Sequence, residues 1–270
     1  MERLHFPLPG SLEQSFDPAQ QARLRVESLN RLEGELTGID CPECRNRGTV
    51  AYAREDGSIV CRECGCMPMR RCVWEMERSG LAGSIRELTF DRFQTEMPWQ
   101  ETLKKGAQAY GDDPTGWLLV CGQSGSGKTH LCTAVCRKLL LDRKQLRYMS
   151  WREEISQLKA MSLDSESRKK RLKQLKNVRY LYIDDLYKTG KNSEGNDQPS
   201  GADVGLAFEI LNYRYINHLP TILSTERTAQ ELVAIDEAVG SRIIEAAGRH
   251  VYSIQRDPRR NYRLRNVVNL

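Results

Sequence analysis

The fold is decided by the stretch Gly122-Gln123-Ser124-Gly125-Ser126-Gly127-Lys128-Thr129. Its glycines let the backbone curl tightly enough to aim N–H groups at phosphate oxygens. An apolar run, 117–121, precedes the loop and predicts a buried strand, and residues 128–141 are apolar at helical spacing. Strand, loop and helix in this order predict a Walker A phosphate-binding loop; a glycine- and serine-rich linker that matches by chance is the weaker interpretation.

Two further positions complete the predicted chemistry. Lys128 would reach the β- and γ-phosphates of ATP, and the Thr129 hydroxyl would be a Mg²⁺ ligand. Asp184 and Asp185 follow a second apolar run, 180–183, where a Walker B motif belongs. The first carboxylate would hold the metal and the second would orient or deprotonate the attacking water, so we predict hydrolysis as well as binding. The predicted nucleotide-binding residues are Gly122, Gln123, Ser124, Gly125, Ser126, Gly127, Lys128, Thr129, His130 and Asp184.

The rest of the second half alternates strands with helices. We predict a helix over 204–217 and a strand over 221–225, and a polar loop over 188–203. This alternation predicts an α/β fold with a parallel sheet flanked by helices on both faces. A helical stretch that begins near Trp151 carries a basic run before the Walker B strand.

That basic run comprises Arg168, Lys169, Lys170, Arg171, Lys173 and Lys176. Charge runs are often solvated helix faces, but the same side chains could contact the phosphates of single-stranded DNA. Both interpretations stay open from the sequence.

The amino-acid composition is typical of a globular protein that can form a hydrophobic core. It has 270 residues, 39% hydrophobic and 29% charged, and a net charge of +5. The first residues lack the apolar run of a signal peptide, and no window approaches the ~20 apolar residues of a membrane span. Nine cysteines, an odd number beside a nucleotide site, fit a reducing compartment. We therefore expect a cytoplasmic protein with no membrane partner.

Most of the cysteines crowd into residues 41–72. Cys41-Pro-Glu-Cys44 and Cys61-Arg-Glu-Cys64-Gly-Cys66 are separated by a predicted hairpin, and helices are predicted over 19–36 and 67–79. Tetrahedral Zn²⁺ takes four thiolates from two such turns, so we predict a structural zinc site. The second pair is either Cys61 with Cys64 or Cys64 with Cys66.

The chain resembles the DnaC/DnaI-type replicative helicase loaders, a branch of the AAA+ ATPases that also includes the IstB transposition helpers. The resemblance runs from about residue 39 to the C-terminus. The residues that carry it are Cys41-Pro-x-Cys44 with Gly48 and Gly57, Cys64-x-Cys66 with Arg70-Arg71, Thr89-Phe-Asp-Arg-Phe93, Gly122–Thr129, Ile183-Asp-Asp-Leu186, Asn212-Tyr-Arg214-Tyr, Leu219-Pro-Thr221, Gly240-Ser-Arg-Ile243 and Asn261-Tyr-Arg-Leu264.

The resemblance implies an AAA+ core without a full helical lid over residues 85–270, and an N-terminal helicase-binding region over 1–84. Its zinc module, about 39–72, favours Cys41, Cys44, Cys64 and Cys66 as ligands. The ATPase part would self-associate with ATP between subunits and bind single-stranded DNA.

The resemblance also implies two catalytic residues. Arg242 would be an arginine finger acting on the ATP of a neighbouring subunit, with Arg214 and Arg249 as other candidates. Thr225 would lie in the sensor strand. The family often has Asn just after it, whereas this chain has Glu226.

The leading functional prediction is an ATP-dependent loader of a DnaB-type hexameric helicase onto single-stranded DNA. The alternatives are an IstB-like transposition or replication helper that forms a filament on DNA, a small-molecule P-loop kinase with a zinc insertion, and a zinc-dependent adaptor that ATP only switches.

Overall fold

The computed structural model describes residues 17–76, 84–161, 164–189 and 198–264. The chain divides into two compact units, Met1–Met67 and Pro68–Leu270, here called the N-terminal unit and the C-terminal unit. The division therefore falls earlier in the chain than the boundary after residue 84 that we expected. In the described part of the chain, no helix is long and apolar enough to cross a membrane.

The N-terminal unit is a helix beside a β-hairpin. Helix α1 (Pro18–Arg31) is followed by the antiparallel strands β1 (Thr49–Ala53) and β2 (Ile59–Glu63), which confirm the predicted hairpin. The amide of Asn30 ties the helix to β1: its Nδ2 donates to the carbonyl of Ala51 (2.9 Å), and its Oδ1 accepts from the Ala51 amide (3.0 Å).

The predicted helix over 19–36 was wrong in its last turn. Helix α1 ends at Arg31, and the backbone beyond it pairs with the first cysteine loop: the Gly34 amide donates to the Arg45 carbonyl at 2.7 Å. A Cβ at Gly34 would lie 2.3 Å from the Asn46 carbonyl oxygen, so this close approach requires glycine.

The C-terminal unit is built on five parallel strands in the order β4-β5-β6-β3-β7. They span Trp117–Gly122 (β3), Leu146–Ser150 (β4), Tyr180–Asp184 (β5), Thr221–Thr225 (β6) and Val251–Ile254 (β7). The predicted strands correspond to β3, β5 and β6. The three lie side by side, with β3 and β5 on either side of β6, so their carboxyl ends meet at one edge of the sheet.

Helices cover this sheet, as the sequence predicted. The helices from residue 67 onward are α2 (Met67–Met76), α3 (Ser84–Glu87), α4 (Pro98–Asp112), α5 (Lys128–Leu141), α6 (Trp151–Ala160), α7 (Ser165–Asn177), α8 (Gly201–Ile216), α9 (Ala229–Ile235) and α10 (Glu237–Ala247). The C-terminal end of the predicted helix over 67–79 lies outside the described residues. Between β7 and Leu264 the structure has two short 3₁₀ turns, Pro258–Arg260 and Tyr262–Leu264.

Two predictions about this region were wrong. The helical stretch from Trp151 is two helices, because Asp164 caps a new helix by accepting the Ser167 amide at 3.0 Å. The polar loop ends before 203, because Ser200 and Asp203 form a reciprocal capping box that starts α8. Residues 190–197 of the predicted loop lie outside the described part of the chain.

The main core fills one side of the sheet. Its members are buried side chains of the strands and of α6 to α10, including Trp117, Trp151, Ile183, Ile210 and Ile243. The Trp117 indole also donates to the Leu219 carbonyl at 3.0 Å. Burying this much apolar surface makes the sheet a rigid base for the loops at its carboxyl edge.

Candidate nucleotide-binding site and metal centre

The predicted phosphate-binding loop runs between β3 and α5. Gly122 and Gly127 have positive φ angles, 104° and 92°. A Cβ would lie 2.1 Å from the Ile254 carbonyl oxygen at Gly122 and 2.7 Å from the Phe93 ring at Gly127. Both positions therefore need glycine for the backbone angle and for the close neighbour. Ser126 is buried in the loop, where its hydroxyl donates to the Gln123 carbonyl at 2.7 Å.

Lys128 is the first residue of α5 and is buried. Its ammonium donates to the carbonyls of Gly122 (3.0 Å) and Gln123 (2.7 Å), which hold it at the base of the loop. Burial lowers the pKa of Lys128, and attraction to Glu226 and Asp185 offsets part of that change. The lysine is thus a desolvated cation beside the loop that would receive phosphates.

Thr129 and Asp184, the predicted Mg²⁺ ligands, are brought together. The Thr129 hydroxyl donates to Asp184 Oδ1 at 3.2 Å, and the hydroxyls of Tyr182 and Ser224 donate to the same oxygen. Burial and the neighbouring charge of Asp185 raise the pKa of the Asp184 carboxyl, and these hydrogen bonds lower it in part. A hydroxyl and a carboxylate in contact fit Mg²⁺, which binds few protein oxygens and keeps water and phosphate as its other ligands.

Asp185 occupies a turn held by the neighbouring strand. Its φ is 55°, uncommon for a residue other than glycine, and its amide donates to the Ser224 hydroxyl at 3.0 Å. Its carboxylate accepts from Lys188 Nζ at 2.9 Å. Strained backbone of this kind often marks functional positions, because the surroundings must hold it in place.

Lys188 and Glu226 link this turn to the phosphate loop. Lys188 Nζ also contacts Glu226 Oε1 at 3.0 Å, and Glu226 accepts from the Ser124 hydroxyl at 2.9 Å. Burial opposes the charge on each group, yet the ion pairs raise the pKa of Lys188 and lower that of Glu226. The sequence marked Glu226 only as a departure from the family and gave no role to Lys188.

Thr225 is fully buried and does not line the site's cavity. Its hydroxyl donates to the Leu186 carbonyl at 2.8 Å and accepts from the Arg227 amide at 3.1 Å. Its neighbour Ser224 is the residue of this strand end that contacts Asp184 and the Asp185 amide, and Glu226 contacts Lys188. A sensor role for Thr225 stays a prediction; the observed contacts brace the turn after Asp185.

The phosphate loop, the two Walker B carboxylates, Lys188 and Glu226 surround a cavity of about 610 Å³. The predicted residues that line it are Ser124, Gly125, Gly127, Lys128, Thr129, His130, Asp184 and Asp185. Gly122, Gln123 and Ser126 do not line it: the carbonyls of Gly122 and Gln123 accept from Lys128, and the Ser126 hydroxyl donates to Gln123. His130 Nε2 lies 2.8 Å from the Thr89 carbonyl oxygen, and burial lowers the pKa of this ring.

Further lining residues come from distant parts of the chain. Arg92 and Phe93 precede α4, and Tyr262 and Arg263 follow β7. The Tyr262 amide donates to the Gly125 carbonyl at 2.9 Å, so the C-terminal segment is bonded to the phosphate loop itself. The sequence contained a signal for both segments, because both are motifs of the resemblance, but nothing in it placed them at the cavity.

The three arginine candidates have different surroundings. Arg242 lies on α10, donates to the Ala238 carbonyl at 2.6 Å and stacks over the rings of Phe208 and Tyr215. It does not line the cavity of its own chain. Arg249 donates to the neighbouring His250 ring at 3.2 Å.

Arg214 is fully buried, which rules it out as a finger for a neighbouring subunit. Its guanidinium donates to the Thr221 hydroxyl and to main-chain carbonyls at the end of α7 and the starts of β5 and β6. These acceptors are Leu175, Lys176, Val178, Arg179 and Pro220. Arg214 is therefore a structural clamp between these elements.

Four cysteines form a second site, in the N-terminal unit. The sulfurs of Cys41, Cys44, Cys64 and Cys66 all lie within 4.8 Å of one another, and all four side chains are buried. Cys61 is exposed on β2 and outside the group. A tetrahedral zinc with ~2.3 Å bonds separates its sulfurs by about 3.8 Å, and the Cys41–Cys64 and Cys44–Cys66 pairs are 3.8 Å and 3.6 Å apart. The cluster is compatible with Zn²⁺, and the geometry selects Cys66 over Cys61.

Some side chains of the basic run on α7 form ion pairs within the protein, and others are exposed to solvent. Arg171 donates two hydrogen bonds to the carboxylate of the buried Glu154, and Lys176 Nζ donates to Glu209 Oε1 at 2.7 Å. Lys169, Lys170 and Lys173 are exposed. Only part of the run is therefore exposed to solvent.

A parallel sheet with a glycine-rich loop after one strand and paired carboxylates after another is the arrangement of a P-loop nucleotide-binding protein. The chain belongs to the family of IstB-like ATP binding proteins, whose model matches residues 49–266. This match confirms the predicted ATPase class and the family resemblance.

Individual relatives agree with this assignment. The chain is 31% identical over 257 residues to the phage-like element PBSX protein XkdC of Bacillus subtilis (strain 168), covering 91% of this chain and 93% of the relative. It is 25% identical over 204 residues to the replicative helicase loader DnaC of Escherichia coli (strain K12), covering 73% and 78%. A crystal structure of the DnaC helicase loader superposes with a TM-score of 0.51 at 23% identity, covering 64% of this chain and 99% of that chain, which supports the fold.

Proposed function

We propose that this protein is an ATP-dependent loader that places a DnaB-type hexameric helicase on single-stranded DNA. One observation carries the proposal: Lys128, Thr129, Asp184 and Asp185, the residues that would bind ATP and Mg²⁺ and orient water, line one cavity in a chain similar to the E. coli loader over most of its length. ATP binding would stabilise the assembly that holds the helicase, and hydrolysis would release the loader.

Within the site, each residue has a proposed role. The N–H groups of Gly125 and its neighbours bind phosphate oxygens, Lys128 neutralises the β- and γ-phosphates, and Thr129 with Asp184 holds Mg²⁺. The metal, when bound, draws charge from the terminal phosphate. Asp185 lies beside this pair and orients the attacking water, accepting its proton as the oxygen bonds to the γ-phosphorus and the bond to the β,γ-bridging oxygen breaks, which releases ADP.

Arg242 of one subunit would complete the ATP site of the next subunit. Its guanidinium is held by two aromatic rings of α8, away from the cavity of its own chain. Arg242 would therefore act on ATP bound to a second copy of the chain. Arg242→Ala should lower ATP turnover and leave ATP affinity unchanged; a loss of affinity with normal turnover would assign Arg242 another role.

The cysteine cluster would hold a structural zinc ion. Four buried thiolates close the tetrahedral shell, so no position is left for substrate. The zinc would organise the N-terminal unit, which we propose as the helicase-binding region. Lys169, Lys170 and Lys173 on α7 are the proposed contacts to the DNA phosphates.

A capture experiment tests the main proposal. Tagged protein is mixed with purified replicative helicase, with ATP, with ADP and without nucleotide, and retained helicase is quantified. The loader proposal expects helicase to be retained in an ATP-dependent manner, and expects ATP turnover to respond to single-stranded DNA or helicase. Filaments on duplex DNA without helicase binding would favour the IstB-like helper instead. Turnover that responds only to a small phosphate acceptor would favour the kinase.

A further inference from the structure

We propose that Lys188 is a second phosphate-binding lysine of the ATP site, and that its ammonium exchanges Asp185 and Glu226 for the terminal phosphate of ATP. The proposal rests on the ATP site described above but not on helicase loading. It concerns a residue outside the Walker motifs that is placed at the cavity by the turn after β5.

The backbone around Lys188 is fixed while its side chain is partly exposed. Leu186 and Tyr187 are buried, the Leu186 amide donates to the Ser224 carbonyl at 2.9 Å, and the Lys188 amide donates to the Asp185 carbonyl at 2.9 Å. The Lys188 side chain is 39% exposed and lines the cavity. A fixed main chain with a movable four-carbon stem lets the ammonium change partners without disturbing the Walker B turn.

The carboxylates around the cavity explain why ATP binding would require the Lys188 ammonium. Asp185 and Glu226 are both carboxylates, and Glu226 is hydrogen-bonded to Ser124 in the phosphate loop. A carboxylate at that loop repels a triphosphate unless its charge is compensated. Lys188 is the cation in contact with both carboxylates, whereas Lys128 is held by the carbonyls of the loop.

The distance to be covered is short. Water bound to Asp185 would lie ~2.8 Å from its carboxylate and ~3–3.5 Å from the phosphorus that it attacks. Lys188 Nζ is 2.9 Å from the same carboxylate and Lys188 lines the same cavity, so rotation about its side-chain torsions would be enough to bring the ammonium to the terminal phosphate. When Lys188 contacts phosphate it leaves Asp185, which can then accept the water. The terminal phosphate thereby frees the group that hydrolysis needs, and ADP does not.

Nucleotide binding to Lys188→Met, Lys188→Arg and a matched control, Lys144→Met, tests this inference. Lys144 is an exposed lysine in the turn after α5. Calorimetric affinities are measured for ADP and for the non-hydrolysable ATP analogue AMPPCP. For Lys188→Met, we expect AMPPCP affinity to fall about ten-fold or more and ADP affinity to stay within about two-fold. Lys188→Arg should keep most of the AMPPCP affinity, and Lys144→Met should match the wild type.

A double variant distinguishes a direct contact between Lys188 and phosphate from mere neutralisation of the Glu226 charge by Lys188. If Lys188 binds phosphate, AMPPCP affinity stays low when Glu226→Gln is added to Lys188→Met. Full recovery in the double variant, equal losses for both nucleotides, or no loss would each overturn the inference. A wild-type protein that binds neither nucleotide would overturn the proposed ATP site itself, so the two failures are distinguishable.

Discussion

The choice of zinc ligands can be tested with two cysteine substitutions that are chemically identical. Cys66→Ser removes a sulfur from the buried cluster, whereas Cys61→Ser removes an exposed sulfur from the neighbouring strand. We expect zinc at about one ion per chain in the wild type and in Cys61→Ser, and strongly reduced zinc in Cys66→Ser.

The magnitude follows from the four-sulfur shell. Structural zinc sites contribute ~10–16 kcal/mol of apparent binding free energy in small peptides. One ligand of four carries roughly 3 kcal/mol of this, so the Cys66→Ser site should bind zinc about 100-fold more weakly. Among the residues that the structure describes, the hydrophobic cluster around the four cysteines adds just Val50 and Met67 to them. Loss of zinc should therefore unfold the N-terminal unit rather than merely loosen it.

The assay is metal analysis after dialysis against a weak chelator, followed by limited proteolysis. Cys66→Ser should lose its zinc and be cleaved within the N-terminal unit, and Cys61→Ser should behave like the wild type. Zinc retained by Cys66→Ser and lost by Cys61→Ser would refute the reasoning, as would a metal-free wild type whose N-terminal unit resists cleavage.

Three further predictions concern the C-terminal unit. Asp185→Asn should lower ATP turnover about 100-fold or more while nucleotide affinity is retained; unchanged turnover in the presence of single-stranded DNA and helicase would favour an adaptor that ATP only switches. Arg214→Lys keeps the charge but leaves several buried carbonyls without their donors, so chemical denaturation should show a loss of roughly 3–5 kcal/mol; a loss below about 1 kcal/mol would contradict the clamp. Replacing Lys169 and Lys170 by alanine should weaken single-stranded DNA binding and reduce the slope of log affinity against log salt by about 1.4, and an unchanged slope would return these lysines to a solvated face.

The parts of the fold that the sequence predicted well are those whose signal is local. The apolar run 117–121, the glycines of the phosphate loop and the periodic helix over 128–141 each carry their own pattern, and the structure has them at nearly these bounds. The hairpin is equally local. Spacing alone could not choose between Cys61 and Cys66, since both lie within reach of Cys64 along the chain.

The errors and omissions arise from contacts between distant segments. The last turn of the predicted first helix is lost because Gly34 pairs with Arg45 across the cysteine loop. Lys188 and Glu226 become neighbours only because β5 and β6 lie side by side. Tyr262 reaches the phosphate loop through one main-chain hydrogen bond to Gly125. None of these pairings leaves a pattern in the local sequence.

The most direct test of the account is ATP binding by Lys128→Ala. The wild-type lysine is buried beside the loop carbonyls, and the alanine variant removes the cation while leaving the glycines and α5 in place. Titration with ATP and Mg²⁺ should show tight binding by the wild type and no measurable binding by the variant at the same concentrations. Tight binding retained by Lys128→Ala would contradict the assignment of this loop as the ATP site.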